Sequence, residues 1–484
     1  MKFHGLVLGL LLILLAVNIS TAQYSIKVKV NGVNDSTMML GHHFGSKKYV
    51  VDTAHIDSKG WAHFEGKEDL DKGIYIIILP SLNNTYFECL IGDDMEFSLE
   101  TDTENYVENM KVKGCKENLI FNDYQREMAV LNRERMELDE LMNKHSENPD
   151  SVEIIRNKII ENGEKRKQYM LEVIANSPES FFAKVLNSMV EIDVPEPPRD
   201  DEGNITDSTF QWRYYKEHYF DNVDFSEGGL LKTPIFEGKL NYFFKNVVVP
   251  EPDSLINQAN IVIQKAYEGG DTLMFRFVAA HLLNYFETSR VMGFDKVFVR
   301  LAEDWYLSGK AYWVDSTFMS KLTERVMKIS PNIIGNVAPD LRKMETYDSQ
   351  YMSLHLVDAD FTVLVFYEPD CGHCKTQVPK LFNLWQDTLQ HENVKVFAVY
   401  TQYDKEHWIE FINDKDMIGE GWYNVWDGPY PHTNFRNYYD IYSTPVIFIL
   451  DKEKHIIAKR IDVDSITDFL EFHRKRLEHE KQKQ

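Results

Sequence analysis

Two cysteines separated by two residues, Cys371 and Cys374, give this sequence its most specific chemical signature. The spacing allows a tight disulfide, and at the start of a helix the backbone amides and the helix dipole stabilise a thiolate. We therefore expect Cys371 to face solvent and to attack as the nucleophile, while Cys374 lies deeper and resolves the mixed disulfide. The intervening Gly372 and His373 are expected to tune the pKa of Cys371, because an imidazole that is protonated or donates a hydrogen bond favours the thiolate.

The sequence around this motif predicts the strand and the helix that hold the two thiols. The stretch 361–367 is a nearly continuous apolar run, as are 394–400 and 446–450, which is typical of strands covered by helices on both faces. A helical pattern follows the motif, and strand–helix–strand units of this kind predict an α/β domain at residues 332–484. The apolar face of that helix consists of Val378, Leu381, Phe382, Trp385 and Leu389.

Two prolines connect this region to a known family. Pro379 lies five residues after Cys374, where thioredoxin-like helices carry a kinking proline, and Thr444-Pro445 precedes the apolar run 446–450. In these residues the sequence resembles the thioredoxin superfamily. The resemblance implies that Pro445 is a cis-proline packed against the disulfide, and that the backbone of Thr444 is free to pair with an extended substrate segment.

Within that superfamily, the sequence is most similar to the exported TlpA-like branch, over about residues 333–480. The segment 335–341 looks like the chain that leads into the N-terminal hairpin of that branch. Cys374 and Pro445 are 71 residues apart, which leaves room for its inserted helix and strand, with 434–441 near the end of the insertion. The resemblance implies a thiol–disulfide oxidoreductase that needs no cofactor, acts on protein thiols and disulfides, and receives electrons from a membrane donor.

Residues 366–370 also point to this branch, because they replace the tryptophan-containing approach to the motif in cytosolic thioredoxin. Two other positions depart from the family pattern. Val365 occupies the place of the buried aspartate that relays protons in thioredoxin, and Gln377 stands where some TlpA-like reductases have a glutamate. Glu368 and Asp370 are acidic neighbours of the motif, and we interpret them as solvated loop residues. The alternative is that one of them substitutes for the missing relay carboxylate. The proton relay is therefore left unassigned.

The chain upstream of the redox region predicts two further domains. Over residues 23–113, short alternating runs are punctuated by Gly, Asn and Asp, which is typical of a small sandwich or barrel. Residues 114–331 have helical periodicity, broken at Pro149, in an acidic loop over 192–207 and at 250–252. We expect an N-terminal all-β sandwich-like domain, a middle all-α domain and a C-terminal α/β thioredoxin-like domain. This order is similar to that in envelope proteins of Bacteroidetes-type bacteria.

The first residues of the chain predict an export signal. Lys2 is followed by an apolar core over residues 6–17, and residues 20–22 form a small-x-small pattern. This predicts a signal peptide at 1–22 with cleavage before Gln23. The apolar core is shorter than the ~20 residues of a comfortable membrane span, and an uncleaved anchor is the alternative. We expect a mature chain that is soluble in the periplasm or cell envelope, an oxidising compartment.

Composition and motif spacing argue against other functions. The formal net charge of −23 argues against a nucleic-acid partner, because phosphate binding needs a basic face. A structural zinc ion needs four ligands, so we expect no metal at one CxxC. A peroxiredoxin-type peroxidase would have Thr or Ser three residues before its reactive cysteine, where this chain has Glu368. One alternative stays open: an envelope binding or interaction protein whose N-terminal domains define its role.

Two other cysteines, Cys89 and Cys115, lie in the upstream region. Cys89 sits in an apolar run, so we interpret it as an inert buried thiol. A structural disulfide between the two is the alternative.

Overall fold

A computed structural model describes residues 23–482 of the chain. The predicted signal peptide at 1–22 lies outside the described residues. No helix in the described part of the chain combines the length and the apolar content that crossing a bilayer requires. The chain divides into two compact units. Among the described residues, the first unit comprises 23–248 with Ala266–Met274, and the second comprises Val249–Lys265 with 275–482.

The first unit begins with a β-sandwich. Its strands are β1 (Tyr24–Asn31), β2 (Thr37–Phe44), β3 (Lys47–His55), β4 (Trp61–Gly66), β5 (Gly73–Leu79), β6 (Thr85–Ile91), β7 (Glu96–Asp102) and β8 (Lys111–Lys113). They form two four-stranded sheets, in the orders β4-β1-β7-β8 and β3-β2-β5-β6, which share one core. Ile26, Val28 and Val30 alternate with polar residues along β1 and are buried in that core. The predicted all-β sandwich-like domain is confirmed.

Helices follow the sandwich in the first unit. They are α1 (Lys116–Lys144), α2 (Pro149–Asn176), α3 (Phe181–Met189), α4 (Phe210–His218) and α5 (Phe236–Tyr242). Pro149, which the sequence suggested as a break, is the first residue of α2. A proline fits there because the first amides of a helix have no intrahelical acceptor. The predicted acidic loop lies in the irregular segment 190–209 between α3 and α4.

Further helices complete the middle region. They are α6 (Pro252–Gly269), α7 (Thr272–Thr288), α8 (Phe294–Leu301) and α9 (Ser316–Ile329). The predicted break at 250–252 coincides with the start of α6. The predicted all-α character of the middle of the chain is therefore confirmed.

The C-terminal part of the second unit is built on one mixed sheet. Its strands are β9 (Met344–Thr346), β10 (Tyr351–Met352), β11 (Phe361–Tyr367), β12 (Val394–Tyr400), β13 (Trp422–Trp426), β14 (Val446–Leu450) and β15 (Ile456–Lys459). The order is β10-β9-β13-β12-β11-β14-β15, in which β11, β12 and β13 are parallel to one another and β14 is antiparallel to β11. The hairpin predicted after 335–341 is the pair β9–β10.

Helices cover both faces of this sheet, as the unbroken apolar strands predict. They are α10 (Gly372–Asp387), α11 (Lys405–Asp414), α12 (Phe435–Tyr438) and α13 (Ile466–Gln482). Alternate residues of β11 point to opposite sides: Val363 and Val365 join the core under α10, α11 and α13, whereas Phe366 joins the core under α12. The inserted helix and strand implied by the family resemblance are α11 and β13. This is the predicted α/β thioredoxin-like domain.

Buried ion pairs within the second unit connect α8 and α9 to this domain. Lys459 is 7% exposed and its ammonium lies 2.5 Å from the carboxylate of Asp295. Burial lowers the pKa of Lys459, and Asp295 opposes that effect. Asp440 accepts hydrogen bonds from Arg325 at 2.9 Å and from Arg460 at 3.2 Å. The chain that leads from α12 to β14 is therefore held from two sides.

Candidate redox site

Cys371 is the residue that caps the N-terminus of α10, directly after the loop that follows β11. Its thiol is partly exposed, and partial burial by itself disfavours ionisation. Hydrogen bonds from the backbone amide and thiol of Cys374 and from the backbone amide of His373 outweigh that penalty, so the pKa of Cys371 is lowered. The first thiol of the motif is thus the one prepared to be a nucleophile.

Cys374 has the opposite environment. It is fully buried in the core between α10 and the sheet, and burial raises the pKa of its thiol to about 12. Both cysteines are free thiols in the structure. The pair therefore combines an accessible thiol of low pKa with a shielded thiol that stays protonated, as the sequence analysis predicts.

The loop before β14 approaches the motif. The Cys371 thiol donates a hydrogen bond to the carbonyl oxygen of Thr444 across 3.2 Å. The Thr444 side chain also interacts with both Cys371 and Cys374. The Thr444–Pro445 peptide bond is cis, as the family resemblance implies. Sequence positions more than 70 apart thus meet at one site.

Glu368 corrects one interpretation made from the sequence. It is half-buried rather than a solvated loop residue. One carboxylate oxygen accepts a hydrogen bond from the Thr444 hydroxyl at 3.1 Å, and the other accepts one from the Gln402 side chain. The carboxylate thus bridges the loops that follow β12 and precede β14. Asp370 fits the earlier interpretation better, because its side chain is 81% exposed and lies 3.2 Å from His407.

The residues between the two cysteines contribute through the backbone. The side chain of His373 is exposed, and within the described chain no hydrogen bond to its imidazole is formed. Its amide is the group that contacts Cys371. Gly372 is the exposed first residue of α10. The effect of the His373 imidazole on the pKa of Cys371 stays a prediction. The contribution of the His373 backbone amide was not expected from the sequence.

Val365 lies where thioredoxin has a proton-relaying aspartate. It is fully buried among apolar side chains on the α10 side of the sheet. Nearby, Trp408 donates a hydrogen bond to the Tyr367 hydroxyl at 2.8 Å. The side chains of this pair are aromatic, and neither of them is acidic. Gln377 is half-buried one turn after Cys374. Among the residues described, Glu368 is the carboxylate that the hydrogen bonds place next to Thr444.

The other cysteines lie in the core of the sandwich. Cys89 and Cys115 are 1% and 2% exposed, and both are free thiols. The Cys115 sulfur accepts a hydrogen bond from the Asn118 amide at 3.3 Å and so caps α1. Burial raises the pKa of both thiols. This matches the interpretation of an inert Cys89, and the alternative disulfide is not formed in the structure.

Three protein families match successive parts of the chain. Residues 24–121 match a domain of unknown function, DUF4369, and residues 159–332 match another, DUF5106. Residues 334–459 match the AhpC/TSA family, and this segment contains both Cys371 and Cys374. A comparison with proteins of curated function gives no match.

Solved structures are similar to parts of this chain. A domain of a possible thiol-disulfide isomerase from Cytophaga hutchinsonii is 39% identical, and the match covers 30% of this chain and 97% of that one, with a TM-score of 0.28. A thioredoxin-like protein from Bacteroides caccae is 17% identical over 58% of this chain and 98% of its own, with a TM-score of 0.44. A thiol:disulfide interchange protein from a Bacteroides species is 20% identical over 29% and 90%, with a TM-score of 0.25. The chain belongs to the thioredoxin superfamily, as a TlpA-like protein with a thiol–disulfide oxidoreductase-like domain at its C-terminal end.

Proposed function

We propose that this chain is an exported thiol–disulfide oxidoreductase that acts on protein disulfides through Cys371 and Cys374. The observation that carries the proposal is the contrast between the two thiols. One is accessible and has a lowered pKa, and the other is buried with a pKa of about 12. Thiol–disulfide exchange needs this division, because the attacking group must be a thiolate and the resolving group must stay unreactive until the mixed disulfide has formed.

The exchange takes place in two steps. The Cys371 thiolate attacks one sulfur of the substrate disulfide, and the other substrate sulfur leaves as a thiolate that takes up a proton. Cys374 then loses its proton and attacks the Cys371 sulfur, which releases the second substrate thiol. The substrate gains two electrons and two protons, and the protein ends with a Cys371–Cys374 disulfide. A dithiol donor must reduce that disulfide before the next turnover, and we assign this task to a membrane electron donor.

The loop before β14 has a defined task in this proposal. Thr444 and Pro445 are only partly buried beside Cys371. They contact the substrate, with the Thr444 backbone pairing with an extended segment of it. Gly372 and His373 tune the pKa of Cys371, through the backbone and, when the imidazole is charged, through its field.

Export is the part of the proposal that depends on the N-terminal sequence. Residues 1–22 have the charge, apolar core and small-residue ending of a signal peptide. N-terminal sequencing of the protein from an envelope fraction tests this, with Gln23 expected as the first residue. A chain that starts at Met1 and stays in the cytoplasm would contradict the proposed location.

Turnover of a protein disulfide tests the activity. With dithiothreitol as the donor, the chain should reduce insulin, and Cys371→Ser should abolish this. The chain offers Cys115→Ser as a matched control, since that thiol is buried in the sandwich. Replacing both Cys371 and Cys374 by Ser separates oxidoreductase from binding protein: a cellular phenotype that survives the double change would support the binding alternative.

A further inference from the structure

A cavity of about 690 Å³ lies in the second unit beside the loop that precedes Pro445. One wall is the segment between α7 and α8, which spans 289–293. The lining also includes Tyr442 and Ser443, the two residues before Thr444, and the end of β15. Tyr442 and Ser443 thus connect the lining of the cavity to Thr444, which contacts Cys371.

The base of the cavity is fixed by paired charges. Lys459 is bound to Asp295, Arg325 and Arg460 share Asp440, and Arg325 also lies 4.0 Å from the carboxylate of Glu287. These three cations and three carboxylates neutralise one another, so they form a polar floor and leave little charge for a ligand. A floor of this kind keeps the cavity open beside the Thr444 loop.

Arg290 is the cation of this cavity that has no counterion. It is exposed, and within residues 23–482 no carboxylate pairs with it. Beside it, Val291 and Met292 are 54% and 38% exposed, and Tyr442, which also lines the cavity, is 70% exposed. The mouth of the cavity therefore offers one free guanidinium surrounded by exposed apolar side chains, which suits a ligand with a carboxylate next to apolar groups.

The backbone joins this mouth to Cys371. In the described chain, the amides of Tyr442, Ser443 and Thr444 donate no hydrogen bond to another group of the protein. These three residues form bends just before β14, and their unpaired backbone donors can bind the carbonyl groups of an extended peptide. Thr444 contacts Cys371, and Tyr442 of the cavity lining lies two residues before Thr444. A peptide that follows this segment at about 3.3 Å per residue would therefore reach Tyr442 within two to four residues of its cysteine.

We propose that this cavity is a substrate subsite. It binds the extended segment of a substrate protein that flanks the reactive cysteine, and it favours a carboxylate within about four residues of that cysteine. Arg290 is the group that selects the carboxylate, and Val291, Met292 and Tyr442 contact the apolar residues next to it. This inference rests on the proposed oxidoreductase function, for which it specifies the class of protein substrate.

Two disulfide-linked peptides test the subsite. They are identical except for Asp or Lys three residues from the cysteine, and the measured quantity is the second-order rate constant of their reduction by the intact chain. The Asp peptide should react about fivefold faster, which is the size expected for one exposed ion pair. Arg290→Gln should remove this preference and Arg290→Glu should reverse it. The preference should also decline as salt is added, because the pair is open to solvent.

Two controls separate the possible failures. Lys415→Glu makes the same charge change at an exposed position directly after α11 and outside the cavity, and it should leave the peptide preference intact. The neutral disulfide of 2-mercaptoethanol, which is too small to reach the cavity, should react equally with wild type and with Arg290→Glu. If the wild-type chain does not reduce this small disulfide, the proposed oxidoreductase function itself is overturned. Normal turnover of it together with equal rates for the two peptides would overturn only the subsite.

Discussion

The thiol of Cys371 donates a hydrogen bond to the backbone carbonyl of Thr444, 73 residues later in the sequence, across 3.2 Å. This contact places the accessible thiol against the loop that is proposed to pair with the substrate. It also connects the residue that caps α10 to the loop that precedes β14.

The pH dependence of alkylation tests the two thiol environments. Because hydrogen bonds lower the pKa of Cys371, its thiolate persists to lower pH than that of a free cysteine. The rate of its reaction with iodoacetamide should therefore rise with pH through a midpoint below about 8.5. Cys374, with a pKa of about 12, should stay unmodified over the same range. Mass spectrometry of digested protein gives both rates, and faster modification of Cys374 would contradict the assignment.

A pair of substitutions at His373 separates its amide from its imidazole. His373→Pro removes the amide that contacts Cys371, and a proline fits the first turn of a helix. The pKa of Cys371 should rise by about one unit, the size expected for one hydrogen bond to a charged group. The redox potential should move in the reducing direction, since the thiolate stabilises the reduced form. His373→Ala keeps the amide and should retain most of the wild-type pKa. If both changes act equally, the imidazole is the group that matters.

Substitutions at Glu368 test what its carboxylate does for Thr444. Glu368→Ala removes the acceptor of the Thr444 hydroxyl and frees the loop before β14. We expect kcat/KM for insulin to decrease about tenfold, which is the loss of roughly one positioned hydrogen bond. Glu368→Gln retains an acceptor oxygen and should keep most of the activity. If Glu368→Gln is as damaging as Glu368→Ala and also shifts the pH profile, the negative charge rather than the position of Thr444 is required.

The buried pair of Lys459 and Asp295 predicts a stability effect. Lys459→Met leaves the Asp295 carboxylate without its partner in a mostly buried place. The free energy of unfolding should fall by about 3 kcal/mol. The double change Lys459→Met with Asp295→Leu removes both charges and should restore much of that loss. Urea denaturation measures each value, and equal stability of Lys459→Met and wild type would show that the pair contributes nothing.

Local patterns in the sequence were sufficient to predict the strands and helices and the roles of the two thiols in the CxxC motif. The apolar alternation in β1 and the unbroken apolar run of β11 are visible among neighbouring residues. They therefore predict directly that β1 is buried on one face and β11 on both faces. The roles expected for Cys371 and Cys374 agree with their exposure, because a helix start exposes its first residue and turns the fourth inward.

Contacts between distant residues were not predictable in this way. Glu368 meets Thr444 across 76 positions, and only the order of strands in the sheet brings them together. A carboxylate next to a reactive motif has no local pattern that distinguishes a bridging group from a solvated one. The position of Arg290 in the cavity could not be predicted for the same reason, because it depends on how α7 and α8 pack in the second unit.

Covalent trapping tests the central claim most directly. Intact-mass spectrometry of Cys374→Ser mixed with one equivalent of a disulfide-bonded peptide should reveal a stable adduct, because nothing remains to resolve the mixed disulfide. Fragmentation should place the peptide on Cys371, and Cys371→Ser should form no adduct under the same conditions. An adduct on Cys89 or Cys115, or equal trapping by Cys371→Ser, would contradict the assignment of Cys371 as the nucleophile.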